Sequence, residues 1–379
     1  MRVAFYAPLK PPTHPAPSGD RHMARLLMAV LKRAGHEVEL AARLRSWDGS
    51  GDPVRQGRLR RLGEQLARRY LRRVSGTPET QKPDLWFTYH LYHKAPDWIG
   101  PLVSHALAIP YVVAEASHAP KQAQGPWAEG FAAAEQVIRQ ASAVVAVNSK
   151  DIPCLRRLAK AERLFQIRPF LDTAPYKELP LRDESRAQAS RDFGLDAQHP
   201  WLLTVAMMRA GDKCRSYQLL AEALQGLLDW DWQLLVVGDG AARGAVETAF
   251  APLIDRGRVV FAGVRGAAEI RQLTAACDVY VWPAVNEAFG MAFLEAQAVG
   301  LPVVAGRYGG VADVVDDGED GLLTSPGDRE AFAGAVSSLL QDPDRRQRMG
   351  AAARRRVLTE HGLEGAAARI DDIIQPLIS

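Results

Sequence analysis

The chain of 379 residues is longer than one hydrophobic core usually serves, roughly 250 to 300 residues, so two domains are expected. With 47 % apolar residues it is not a disordered polyelectrolyte, and 47 basic against 44 acidic side chains argue against nucleic acid as a partner. Cys154, Cys214 and Cys277 stand alone without a C-x-x-C pair, which fits a reducing compartment, and every apolar run stops short of the about 18 residues that span a bilayer. The expected location is the cytoplasm, with peripheral attachment to the inner face of the cell membrane as the one extension.

Along the chain, RVAFYAPL is a first strand, too short and too quickly followed by prolines for a signal peptide. EVELAA, DLWFTYH, PYVVAEAS and AVVAVNS follow it at intervals filled by helical patterns. The second half repeats the arrangement with WLLTVAMM, WQLLVVGDG, RVVFAGV, DVYVWPA and LPVVAG. These strands are continuously apolar, as expected where helices cover both faces of a parallel sheet. The reading is α/β, two tandem Rossmann-like doubly wound domains over residues 1–180 and 195–355, joined by a polar linker around 170–198 that holds one short helix. Residues 356–379 read as a terminal helix that packs back on the first domain.

Residues 54–74, VRQGRLRRLGEQLARRYLRRV, carry eight arginines and one acid, with Leu59, Leu62, Leu66 and Tyr70 at helical spacing. A basic amphipathic helix suits an anionic membrane surface or an acidic acceptor, and equally an ordinary packed helix with a solvated face.

In DVYVWPAVNEAFGMAFLEAQAVG a buried strand breaks at Pro283 and a helix follows. Glu287 stands at its start and Glu295 about two turns in, a separation of roughly 12 Å along the axis. Paired glycosidase carboxylates need about 5 to 9.5 Å, so an acid and base flanking one bond is disfavoured. An extended ligand fits better, with a glutamate at each end and the N–H groups of Phe289, Gly290, Met291 and Ala292 between them, where Gly290 allows close approach and a helix start attracts phosphate. A nucleotide-sugar has that layout: sugar hydroxyls, diphosphate, ribose hydroxyls. RAGDK sets Arg209 and Lys213 after another strand, where two cations can clamp a diphosphate, and FAGVR sets Val264 and Arg265 where a base can be met.

NEAFGMAFLEAQAVGLPVVAG, RAGDK, FAGV and GGVADVVDDGEDGLL, in that company and over residues 200–345, resemble the donor-binding half of the retaining glycosyltransferases of family 4, the group 1 glycosyltransferases of the GT-B fold. The resemblance implies that Glu287 contacts the transferred sugar, Glu295 the ribose, Arg209 and Lys213 the diphosphate, and the Phe289–Ala292 loop the phosphate and sugar. It implies a UDP- or GDP-linked hexose as donor, retention at the anomeric carbon, and a glycan or lipid-linked acceptor in cell-envelope synthesis, with a small metabolite acceptor or a non-catalytic binding module as alternatives. The first domain matches less closely: Ser18-Gly19-Asp20 stands where a double glycine is usual, so Gly19 is expected to let the loop approach the donor; His118 in PYVVAEASHAP, with Glu115, is expected near the reacting centre, and His90 and His93 after DLWFTYH compete for acceptor contacts. Asp229-Trp230-Asp231 is a D-x-D, but it precedes strand WQLLVV, at the edge away from the ligand, so no metal and no other cofactor is expected.

Overall fold

The computed structural model describes residues 1–16, 18–288 and 290–378. It divides into two compact units, residues 1–168 with 363–379 and residues 169–362. In unit 1 the elements run β1 (Arg2–Tyr6), α1 (Gly19–Arg33), β2 (Glu37–Leu40), α2 (Pro53–Ser75), β3 (Leu85–Leu91), α3 (Gly100–Leu107), β4 (Tyr111–Ala116), α4 (Ala128–Gln140), β5 (Ala143–Ala146), α5 (Ile152–Leu155) and β6 (Leu164–Gln166). The parallel sheet has the order β2-β1-β3-β4-β5-β6. Its central strands are buried except at His90, which is why their sequences do not alternate.

Unit 2 repeats the plan with α6 (Arg182–Phe193), β7 (Trp201–Val205), α7 (Asp212–Gln225), β8 (Gln233–Val237), α8 (Arg243–Ile254), β9 (Val259–Gly263), α9 (Ala267–Ala276), β10 (Val279–Trp282), α10 (Met291–Val299), β11 (Val303–Gly306), β12 (Gly321–Thr324), α11 (Arg329–Gln341) and α12 (Pro343–Glu360). Its sheet order is β12-β11-β10-β7-β8-β9, again parallel. The last helix, α13 (Leu363–Ile374), belongs to unit 1, where it packs against α1 with Arg33 paired to Glu364 and His36 Nε2 3.1 Å from Asp371.

The segment expected as a linker is structural. Within unit 2, α6 packs on α9, and its arginines reach the end of that helix: Arg182 donates to Cys277 O at 2.6 Å and pairs with Asp278 at 2.7 Å, and Arg186 donates to Ala276 O at 2.8 Å. Arginine forks satisfy the last carbonyls of α9, groups with no partner inside their own helix. Strands β6 and β12 were not among the ten expected, since three or four partly exposed residues at a sheet edge carry little hydrophobic signal.

Of the expected apolar face of α2, Tyr70 is buried and Leu66 packs on the core, whereas Leu62 does not. Gln56, Gly63, Ala67, Tyr70 and Val74 point inward, and a Cβ on Gly63 would lie 2.4 Å from Trp98 Cβ. Leu62 is 43 % exposed on the flank of the helix, about 110° round from that face. Gly63 lets the helix close on Trp98, while Leu66 and Leu71 pack on the core beside it.

Candidate functional site

In each unit the strand order turns back on itself once, between β7 and β10 in unit 2 and between β1 and β3 in unit 1. Crossovers leave such a point in opposite directions, and the loops beyond the strand ends form a crevice there. In unit 2 those loops are the ones after β7 and β10, which hold RAGDK and NEAFG.

The loop after β7 lies flush on the one after β8, because Gly238 and Gly240 put hydrogen where a Cβ would stand 2.0 Å from Ala206 O and 2.2 Å from Met208 O. Lys213, in the first turn of α7, forms an ion pair with Glu287 and stands 5.3 Å from the centre of the Trp282 ring. The loop after β10 is further tied to α7 by Val285 N donating to Ser216 Oγ at 3.0 Å and Asn286 Nδ2 donating to Asp212 at 2.9 Å. Ala284 and Asn286 have φ of 60° and 53°, a conformation that costs about 1 to 3 kcal/mol for a residue with a side chain and that clusters at ligand sites.

Gly290 caps α10 with φ 69°, and a Cβ there would meet the Phe293 ring at 2.5 Å. Beneath the loop, Gly309 (φ 55°) packs so that a Cβ would lie 1.9 Å from Glu287 O, and Gly310 N donates to Ala288 O at 2.7 Å. The first N–H groups of α10, those of Met291 and Ala292, have no partner within the helix. Phe289 lies outside the described residues.

Since α10 starts at Met291, only the second half of the Glu287 to Glu295 interval is helical, and the 12 Å axial estimate does not hold. Their environments differ more than their spacing. Glu287 is neutralised by Lys213, whereas burial pushes the Glu295 carboxyl up to about 7, with Arg271 opposing the shift. Arg271 itself stands 5.8 Å from the Tyr176 ring centre.

The remaining residues named from the sequence are less gathered. Arg209 is exposed, with no ion pair among the described residues, and Val264 is 75 % exposed beyond β9. The Arg265 guanidinium is occupied locally, donating to Ala262 O at 2.9 Å and lying 5.4 Å from the Phe193 ring centre. Asp231 precedes β8 and sits 3.5 Å from Arg258. In unit 1, Gly19 is the first residue of α1 after its Ser18 cap, and a Cβ added to it would meet nothing within 4 Å. His118 turns onto α4, its Nε2 2.9 Å from Glu135 and its ring against Phe131.

Two groups escaped the sequence reading. Gly309 lay inside a quoted motif with no role attached, and its GG pair was the available signal. His90 and Glu115 were named from the sequence, but their convergence with Asp20 and Asp151 at the unit 1 crevice had no local signal.

Residues 202–356 match the sequence model of the glycosyl transferases, group 1. This group 1 segment lies within unit 2 and contains the whole β7/β10 crevice. A D-inositol 3-phosphate glycosyltransferase of Corynebacterium efficiens is 31 % identical over 201 residues, 51 % of this chain and 46 % of that protein. An alpha-D-kanosaminyltransferase of Streptomyces kanamyceticus is 28 % identical over 253 residues, 66 % of this chain and 63 % of that protein. The chain thus spans about half to under two thirds of the length of these relatives. Among solved structures, the sucrose-phosphate synthase of Thermosynechococcus elongatus superposes with a TM-score of 0.75 at 21 % identity, covering 100 % of this chain and 99 % of that one. Anabaena Alr3699/HepE in complex with UDP gives 0.74 at 18 %, covering 99 % and 100 %. The fold is GT-B, two Rossmann-like α/β units.

Proposed function

We propose that this chain is a glycosyltransferase that moves a hexose from a UDP-linked donor to an acceptor hydroxyl, with retention and without a metal cofactor. The observation that carries the reading is the Lys213–Glu287 pair at the head of α10, inside the group 1 segment. Glu287 then accepts from hydroxyls of the transferred sugar, Lys213 and Arg209 offset the diphosphate, and the Met291 and Ala292 N–H groups receive it across Gly290. Fixed cations and N–H groups aimed at the leaving diphosphate stabilise its developing charge. Glu295 accepts from the ribose, and Val264 and Arg265 border the base. UDP, and glucose as the hexose, are favoured because related folds were solved with UDP and UDP-glucose.

The test is UDP release from UDP-glucose, with thermal shift by UDP, GDP and ADP alongside. A nucleotide at 100 times its dissociation constant adds about 2.7 kcal/mol. Release should collapse in Glu287→Ala, the product anomer should match the donor, and EDTA should leave the rate unchanged. Absence of any nucleotide shift would sink the reading.

For the acceptor side, the exposed face of α2 favours a membrane-borne glycan or lipid-linked acceptor over a small metabolite. Arg58, Arg61, Arg69 and Arg72 share an arc of about 100° with Leu62 and Val54. None of those four has an ion pair among the described residues, whereas Arg55, Arg60 and Arg73 pair with Asp48, Glu64 and Glu39. Unpaired cations around exposed apolar side chains match an anionic bilayer at the cytoplasmic face. Sedimentation with phosphatidylglycerol vesicles should retain the protein and fail after glutamate replaces the four arginines.

A further inference from the structure

Strand β10 ends at Trp282, just before the loop that carries Glu287, and the indole is only 2 % exposed there. Its ring meets Tyr217 edge-on, with centroids 4.8 Å apart and planes at 77°. Tyr217 is itself pinned, its hydroxyl donating to Ala206 O at 2.8 Å just beyond β7. Lys213 and Tyr217 lie four residues apart on α7 and so share one face of the helix. That face brings the Lys213 ammonium to 5.3 Å from the centre of the Trp282 ring, within the about 6 Å over which a ring face attracts a cation. A continuous line of contacts thus runs from the end of β7 through Tyr217 and Trp282 to Lys213 and Glu287.

A lysine is a point charge on a flexible four-carbon stem, and fixing that stem costs rotamer entropy. The Lys213 and Glu287 side chains are only 22 % and 19 % exposed, so each would be poorly hydrated without the other. Their ion pair also occupies Glu287: while the carboxylate holds the ammonium, it is a poorer acceptor for a hydroxyl. A diphosphate changes this balance, because it carries more negative charge than one carboxylate and draws the N–H donors of the ammonium toward itself. An ammonium anchored only by Glu287 has to leave its anchor to reach the phosphates. One that is also held by a ring face serves the incoming anion from the place it already has.

We infer that Trp282 is a positioning residue for the donor: its indole face fixes the Lys213 ammonium while a diphosphate replaces Glu287 as the anionic partner, and the released carboxylate then accepts from the sugar. The inference rests on the donor reading for where the diphosphate lies. A diphosphate alone satisfies Lys213 and leaves Glu287 without a partner, and a sugar alone meets a closed ion pair. Only a molecule that carries both satisfies both groups, so the exchange makes the two halves of a nucleotide-sugar bind cooperatively.

The experiment labels the intact protein with 5-fluorotryptophan, assigns the Trp282 fluorine resonance as the one lost in Trp282→Phe, and titrates with UDP and separately with pyrophosphate, with calorimetry alongside. The resonance should move with either anion in the parent and stay still in Lys213→Met at saturation. Trp282→Leu should weaken UDP about 3- to 10-fold and Trp282→Phe by less, since a phenyl face still attracts the ammonium. In the Lys213→Met background, Trp282→Leu should weaken UDP no further. Should the leucine variant not fold, Trp282→Phe in the two backgrounds and the fluorine titration decide. An equal loss in both backgrounds, as a purely structural ring gives, or a resonance that neither anion moves, would overturn the inference. A resonance that moves with pyrophosphate in a parent without affinity for UDP would count against the donor reading and leave the exchange at Lys213 standing.

Discussion

Glu295→Gln in unit 2 separates a residue kept for a ligand from one kept for the fold. The Glu295 carboxyl is displaced from 4.5 to about 7, chiefly by burial and against the pull of Arg271. At 1.36 kcal/mol per unit, a displacement of about 2.5 units corresponds to about 3 kcal/mol. The folded-state value is raised, so the folded chain holds the proton more tightly than the unfolded one. Below about pH 4.5 the carboxyl is protonated in both states and costs nothing; stability is then lost as pH rises toward about 7, where the buried group must ionise. Glutamine has nearly the same shape and does not titrate. Urea unfolding, read by hydrogen exchange in peptides from β7 to β10, should show the variant more stable than the parent by about 3 kcal/mol at pH 8 and about equal to it near pH 4. UDP should bind the variant about tenfold more weakly, because a hydroxyl loses its anionic acceptor. A gain that is the same at both pH values, or no gain at pH 8, would refute the burial argument; unchanged UDP affinity would refute the ribose role.

Gly309→Ala should cost at least about 2 kcal/mol and abolish the UDP shift, since the added methyl meets a backbone carbonyl at 1.9 Å that cannot yield. Gly257→Ala, also at positive φ but with nothing within 4 Å, should cost only about 1 to 2 kcal/mol and leave UDP binding intact, both read by urea midpoint and thermal shift. Lys213→Met should weaken UDP about tenfold or more while leaving Glu287 unpaired, measured by calorimetry. Asp278→Asn removes the charge that Arg182 and Arg186 share and that accepts from Trp201 N at 2.7 Å, so it should destabilise unit 2 by about 2 to 3 kcal/mol in urea without altering UDP affinity relative to the fold that remains.

Local chemistry made much of this protein legible before folding. Apolar runs marked most of the strands because a strand covered on both faces needs no polar alternation, whereas the edge strand β2, EVEL, does alternate. NEAFG and RAGDK were recognisable because glycines, carboxylates and cations at strand ends are short-range patterns. The tertiary structure decided which of them meet. Lys213 and Glu287, 74 residues apart, and Asp20 and His90 pair only because strand order turns back between β7 and β10 and between β1 and β3, and hydropathy carries no record of strand order. It also decided environment: Glu287 and Glu295 are the same residue in sequence, but one is held by a lysine and desolvation raises the carboxyl of the other. The inward face of α2 was set by Gly63 against Trp98, a contact between segments whose sequences do not mention each other. Residue type is a local property, whereas charge state and partner follow from burial and distance, and those exist only once the chain has folded.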